Sequence, residues 1–294
     1  MKCFKFIPFM LAAAAISLIT GCGASAGKPS VYTEKLESGE TFAVISDEDK
    51  ISDFFIIKKD YSRYDFSDWT NIVSFSDSGG HIVGLKSDGT VTAVGENIMC
   101  ECSGISEWKD IIYVEAVYEC TFGVKSDGTV AAVGANWGGR CDVSEWIDIV
   151  AVAVGSYHSV GLKSDGTAVA AGMNDLSQSS VARWTDITAI AAGDNHTVGL
   201  KSDGTVVSVG AHEHSFGSCT VCGVKDWTDI TAISAGYEKT VGLRADGTVV
   251  ASFNDYYGSY DVSEWTDIVA VEAGEDYIAG LKSDGTVVIA ELII

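Results

Sequence analysis

The chain has 294 residues, 47% hydrophobic and 20% charged, with 32 glycines and only 2 prolines. That composition fits one large all-β domain and leaves little room for long helices. A formal charge of −22 disfavours nucleic acid as a partner, because an acidic surface repels a phosphate backbone.

Residues 1–21 read as a leader. Lys2 and Lys5 open it, and a nearly unbroken apolar run follows from Ile7 to Ile19. The run is too short to span a bilayer comfortably, which takes about 20 residues. It ends Ile19-Thr20-Gly21-Cys22. This resembles the bacterial lipoprotein signal, in which a small residue precedes the cysteine that is lipidated and becomes the new N-terminus. The resemblance implies lipidation of Cys22 and a protein anchored to a membrane on the extracytoplasmic side of a bacterial cell. An ordinary cleaved signal peptide, with Cys22 incidental, is the alternative. Either reading predicts export, and loss of Lys2 and Lys5 with the leader takes the charge from −22 to −24.

Residues 22–30 are small and polar and read as a flexible tether. Residues 31–66 hold two apolar stretches, Thr41–Ile45 and Phe54–Ile57, and no complete repeat. They are expected either to close a ring, with a strand near Phe54–Lys58, or to form a degenerate extra unit.

Residues 67–294 carry six copies of one pattern. The phrase Lys-Ser-Asp-Gly-Thr stands at Lys86–Thr90, Lys125–Thr129, Lys163–Thr167, Lys201–Thr205 and Lys282–Thr286, and recurs as Arg-Ala-Asp-Gly-Thr at Arg244–Thr248. A tryptophan precedes each copy by 17 residues: Trp69, Trp108, Trp146, Trp184, Trp227 and Trp265. In the Trp184 copy, the runs Ile187–Ala192, His196–Lys201 and Thr205–Val209 read as three strands. Asp203-Gly204 between the last two predicts a tight type I′ hairpin with positive φ at both residues. The aspartate has a turn role there, because one carboxylate per hairpin is too few for a calcium shell. A glycine inside each second strand (Gly84, Gly123, Gly161, Gly199, Gly242 and Gly280) predicts close approach, read as strands crowding toward a central axis. The six tryptophans are expected to pack between units. Spacings of 38 to 43 residues with three or four strands per copy point to a β-propeller of six or seven blades, closed by an N-terminal strand. Closure also removes edge strands. An open solenoid is the alternative.

Residues 184–207, Trp-Thr-Asp-Ile-Thr-Ala-Ile-Ala-Ala-Gly-Asp-Asn-His-Thr-Val-Gly-Leu-Lys-Ser-Asp-Gly-Thr-Val-Val, resemble the regulator of chromosome condensation repeat. The resemblance covers residues 67–294 and implies a propeller, commonly of seven blades. The chain is also similar to secreted propeller-type β-lactamase inhibitors, which bind through loops on one face. That analogy favours protein binding over the nuclear roles of the eukaryotic members.

The segments between the third strand and the next tryptophan differ most: Glu96–Glu107, Ala135–Glu145, Met173–Arg183, Ala211–Asp226 and Asn254–Glu264. Loops on a rigid scaffold are where binding residues concentrate. Trp137, Tyr256, Tyr257 and Tyr260 lie in them and are the candidate partner-binding residues, because aromatic rings give large contact area at low entropic cost. Packing between blades is the competing role. His212, His214, Cys219 and Cys222 fall within eleven residues and could hold a tetrahedral zinc ion. A Cys219–Cys222 disulfide and free thiols remain alternatives, and the states of Cys100, Cys102, Cys120 and Cys141 are open. The position carrying His81, Cys120, His158, His196, Lys239 and Tyr277 is too varied for catalysis and reads as structural. No nucleophile elbow, phosphate loop or paired-carboxylate motif stands out.

The sequence therefore predicts a monomeric, lipid-anchored propeller, not an enzyme and without a cofactor, that engages a protein or cell-surface partner. A glycan-binding or glycan-acting propeller using its central pocket is the alternative.

Overall fold

The computed structural model describes residue 66, residues 69–210, 223–253 and 259–293 with their side chains. It also describes the backbone of the strands Leu11–Ala12, Ala15–Ile16, Ser30–Lys35, Thr41–Asp47 and Lys50–Ile57. Each of the six repeats forms its own antiparallel sheet of three strands in sequence order. In the Trp184 repeat these are Ile187–Ala192, His196–Lys201 and Val206–Gly210. The others follow the same plan, from Ile72–Asp77 in the first repeat to Val287–Glu291 in the last. The turns after the first strands of all six repeats converge on one cavity, so the sheets are arranged radially as blades.

Ser30–Lys35, Thr41–Asp47 and Lys50–Ile57 form a further three-stranded sheet. The expected closing strand does not complete the last blade among the described residues. Phe54–Ile57 instead pair with Thr41–Val44, and the last repeat draws its third strand, Val287–Glu291, from its own sequence.

The tryptophan and the strand glycine prove to be one device. A Cβ on Gly199 would lie 2.8 Å from Cζ3 of Trp184. The corresponding distance is 3.0 Å at Gly84 and 2.7 Å at Gly123. The close approach inferred from sequence is therefore that of the repeat's own indole, not of strands crowding toward the axis. The ring edge at Cζ3 and Cε3 fills the space a side chain would need, so a side chain there would displace it. The rings of Trp108, Trp146, Trp184, Trp227 and Trp265 also pack against the preceding blade. Trp227 shares an apolar cluster with Val198, Leu200 and Val206 of the Trp184 repeat, and Trp146 joins Phe122, Val124 and Val130 of the Trp108 repeat. The indoles of Trp146, Trp184 and Trp227 are buried at these junctions, where a large ring contributes much apolar contact.

The five-residue phrase makes a different turn from the one its Asp-Gly suggests. Only its glycine has positive φ, from +78° at Gly89 to +89° at Gly285, while the aspartates stay outside the left-handed region. Gly204 N–H donates to the Lys201 carbonyl, and Lys201 N–H donates to the Thr205 carbonyl. The loop is thus longer than a two-residue hairpin, a turn followed by a left-handed glycine. The Asp203 carboxylate accepts from both the N–H and the hydroxyl of Thr205, at 2.9 and 2.6 Å. That is the local turn role expected of it.

The phrase also joins blades. The carbonyls of Gly89, Gly128, Gly166, Gly204 and Gly247 each accept the N–H of the isoleucine that opens the next repeat, at 2.9 to 3.1 Å. Nearly identical turns recur because each must meet an identical neighbour.

Candidate interaction face

In each blade the first and third strands run the same way, so the first turn and the start of the variable segment share one side. Backbone bonds confirm this: Glu96, Ala135 and Met173 donate to the carbonyls of Gly80, Glu119 and Tyr157. The five-residue phrases lie on the opposite side. The molecule therefore has a loop face and a turn face.

The variable segments contain a framework of their own. Asn97, Asn136 and Asn174 use their side-chain oxygens to accept the N–H of Cys102, Cys141 and Ser179, each five residues on. Inside each bracket a polar residue is buried: Glu101, Arg140 or Gln178. The Glu101 carboxylate accepts from the N–H groups of Ile98 and Met99 and holds those two side chains outward. Arg140 donates through Nε to the Ala135 carbonyl at 3.1 Å and through a terminal nitrogen to the Ser156 carbonyl. The carbonyls of Glu101, Arg140 and Gln178 in turn accept the hydroxyls of Thr121, Ser159 and Thr197 on the next blade.

The position read from sequence as structural completes that network. Nε2 of His81, His158 and His196 meets the hydroxyl of Thr121, Thr197 and Thr240 on the following blade, at 2.8 to 3.0 Å. Burial pushes the pKa values of His81 and His158 down to about 4, so both are neutral at pH 7. Lys239 fills the same position and donates instead to the Gly274 and Glu275 carbonyls, with its ammonium 4.8 Å above the Tyr260 ring.

The face carries an apolar and aromatic surface. Ile98, Met99, Tyr118, Trp137, Tyr157, Met173 and Tyr237 are all exposed there, Ile98 to 77% and Trp137 to 51%. Trp137, chosen from sequence, holds its position in a short 3-10 turn, Trp137–Gly139. Tyr260 is a correction. It is only 9% exposed, because its ring packs edge-on against Phe253 at 5.7 Å and beneath Lys239, so it belongs to the core. Tyr256, Tyr257, His212, His214, Cys219, Cys222 and Cys22 lie outside the described residues. Among the described residues no group of three or more His, Cys, Asp or Glu could hold a metal ion.

Sequence reading missed Tyr118, Tyr157 and Tyr237. All three sit in the turn between the first and second strands, one or two residues before the histidine position. That short turn varies among Tyr, Asp, Glu, Ser, Asn and Gly while its flanks repeat. Variation inside so short a turn was the available signal.

At the centre of the face the first-strand turns surround a cavity of about 210 Å³. Glycine and alanine make up half of its lining, and Asp77, Ser78, Tyr118, Asp194, Tyr237 and Glu275 supply its polar and aromatic groups. The Tyr118 hydroxyl donates to the Asp194 carboxylate at 2.8 Å, although the two stand 76 residues apart. Burial pushes the Asp194 carboxyl above its ordinary range. Asp77 is engaged by the N–H of Gly79 at 2.7 Å.

Charge is divided between the faces. Among the described residues, Arg140 and Lys239 are the only cations on the loop face, and both are buried. Six of the other nine, the lysine or arginine opening each phrase, lie at the turn-face ends of the second strands, and Lys109, Arg183 and Lys225 precede the first strands.

Comparison with known proteins agrees with this architecture. Residues 149–178 and 187–224 match the model of the regulator of chromosome condensation repeat. No curated protein sequence matches the chain. Among solved structures, the CRINKLY WD40 ectodomain of the Arabidopsis thaliana receptor kinase ACR4 has a TM-score of 0.62 at 14% identity, over 91% of this chain and 95% of that one. The ectodomain of the Physcomitrella patens receptor kinase CR4 has a TM-score of 0.62 at 17% identity, over 90% and 72%. Prp20p of Saccharomyces cerevisiae has a TM-score of 0.57 at 19% identity, over 76% and 72%. The six sheets and these likenesses show a β-propeller fold, and residues 149–178 and 187–224 of it match the regulator of chromosome condensation repeat.

Proposed function

We propose that this propeller is a protein-binding scaffold, and that its loop face docks a partner with a basic surface. The observation that carries the reading is the grouping of seven exposed apolar and aromatic side chains on a face without an exposed cation among the described residues. Tyrosine, tryptophan and methionine are enriched at interface centres. The carboxylates of Asp194, Glu238 and Glu275 give that surface a negative potential, which favours and steers a basic partner. The structurally similar yeast protein is described in complex with Kap60 and for its binding to Gsp1p and histones, so this fold serves protein recognition elsewhere.

Export and anchoring through a lipid on Cys22 complete the proposal. They would display the loop face outside the cell, with residues 22–30 as the tether. Labelling with a radioactive fatty acid, lost in Cys22→Ala, is the expected result; labelling that survives the substitution overturns the anchor.

The binding reading is tested by photo-crosslinking from Tyr237 on the loop face and, separately, from Ser202 on the turn face, in surface extracts of the source organism. One protein crosslinked from Tyr237 alone, in a yield that falls when salt is raised before irradiation, supports it. Equal crosslinking from both faces overturns it. Retention of soluble glycan in place of protein would transfer the role to the axial cavity, whose tyrosine and carboxylate rim suits a sugar.

A further inference from the structure

We propose that Cys120 and Cys141 form a disulfide under oxidising conditions, locking the Trp137 loop to its blade. The two Sγ atoms are 3.6 Å apart, in contact, and lie 2.8 and 3.6 Å from the Ala135 carbonyl oxygen. Cys120 begins the second strand of the Trp108 blade, and Cys141 lies in the segment leading to Trp146.

Comparison with the neighbouring blades gives the pairing its meaning. The blades opened by Trp69, Trp146 and Trp184 have histidine at the Cys120 position, and each histidine reaches a threonine on the next blade. The Cys141 position is occupied by Cys102 and Ser179 in the first and third blades, bracketed by the same asparagine. In the repeat register Cys102 therefore corresponds to a position paired with His81 and not with a second thiol. Among the described residues only the Trp108 blade has cysteine at both positions. Where the histidine tether is missing, the geometry offers a covalent one.

The two thiols are unequal in a way that suits stepwise oxidation. Cys120 is fully buried, while Cys141 is half-buried and open to a small reagent. The hydrogen bond from Cys120 and the nearby Arg140 guanidinium hold the Cys141 thiol below its ordinary range. The Cys141 thiolate attacks a small exogenous disulfide such as oxidised glutathione. One sulfur of the reagent leaves as a thiol, and Cys141 carries the other as a mixed disulfide. Cys120 then gives up its proton, attacks Cys141 Sγ and expels the second thiol. The protein loses two hydrogens and the reagent becomes two thiols. The chemistry does not depend on export, because the test supplies the oxidant.

The test treats the full chain with oxidised glutathione, blocks remaining thiols with N-ethylmaleimide and digests with trypsin without reduction. Cleavage after Lys86, Lys109, Lys125, Arg140 and Lys163 puts Cys120 on peptide 110–125, Cys141 on peptide 141–163, and Cys100 with Cys102 on peptide 87–109. The expected result is peptide 110–125 joined to peptide 141–163. Recovery of both as separate maleimide adducts, or either joined to 87–109, overturns the proposal. In Cys120→Ala the mixed disulfide should accumulate at Cys141; an unmodified Cys141 in that variant also overturns it.

Discussion

The turn face and the loop face are built from the same six repeats, yet they have diverged to different degrees. On the turn face every blade ends in nearly the same five residues. Each turn must present a carbonyl to the next blade's isoleucine, and each aspartate is spent on its own threonine. On the loop face the equivalent work is done by buried groups of several chemistries: histidine to threonine, lysine to carbonyl, glutamate to backbone N–H. Where cohesion rests on one backbone geometry, the sequence is held constant. Where side chains can supply it interchangeably, the outer layer is free to vary and to bind.

The largest expected effect tests the junction that serves both faces. Trp184→Ala removes a buried indole that fills the space over Gly199, and should cost about 3–5 kcal/mol by chemical denaturation. Gly199→Val pushes against the same ring from the other side and should cost about 1–3 kcal/mol. The pair is diagnostic in combination. Valine has room only when the ring is gone, so the double variant should lose clearly less than the sum of the singles. Strict additivity would undo the pairing of ring and glycine.

Acid should separate the faces next. The folded His81 and His158 titrate near 4, whereas an unfolded histidine takes up its proton near 6.5. Between those values the unfolded chain binds the extra protons, so stability falls as pH drops from about 6.5 to 4, by roughly 1.4 kcal/mol per unit for each histidine. For His81 the nearby Glu101 and Glu96 carboxylates soften this loss, while for His158 burial acts alone. Glu115 slopes the other way. Burial raises its folded pKa to about 8, so its contribution is fully present below the ordinary carboxylate value and is lost as pH rises through 8. Glu115→Gln should therefore gain stability relative to the parent at pH 8 and be close to it at pH 4. Urea midpoints across pH 4–8 measure both slopes, and a profile unchanged by His158→Gln would remove the buried imidazoles from the account.

Much of this was legible because repetition turns a weak local signal into a strong one. One Trp and one Gly 15 residues apart mean little, but six such pairs mark out six repeats and the strand order within each. The particular partners were not legible. Strand glycines suggested crowding, but only coordinates show that the crowding atom is an indole carbon. Asp-Gly suggested a two-residue hairpin, because the competing bond from Asp203 to Thr205 cannot be weighed from the string alone. Tyr260 looked like a loop aromatic until Phe253 and Lys239 were found around it. The axial tyrosines were hidden because they converge from turns tens of residues apart, and long-range convergence leaves no local periodicity.

The smallest expected effects decide whether the loop face is a surface for something else or part of the fold. Asp203→Ala on the turn face leaves the Thr205 N–H to water and should cost about 1 kcal/mol, as loss of a local cap does. Trp137→Ala removes a larger side chain, and by size alone would be expected to cost more. Its ring is half in solvent and outside the apolar clusters, so stability should change by no more than about 0.5 kcal/mol. The same substitution should weaken partner binding at least about tenfold, the signature of an interface anchor. A Trp137→Ala variant as destabilised as Asp203→Ala would show that the indole braces its own loop. The docking surface would then contract to the tyrosines around the axis, where Tyr118 is bonded to Asp194 and Tyr237 becomes the side chain to remove next.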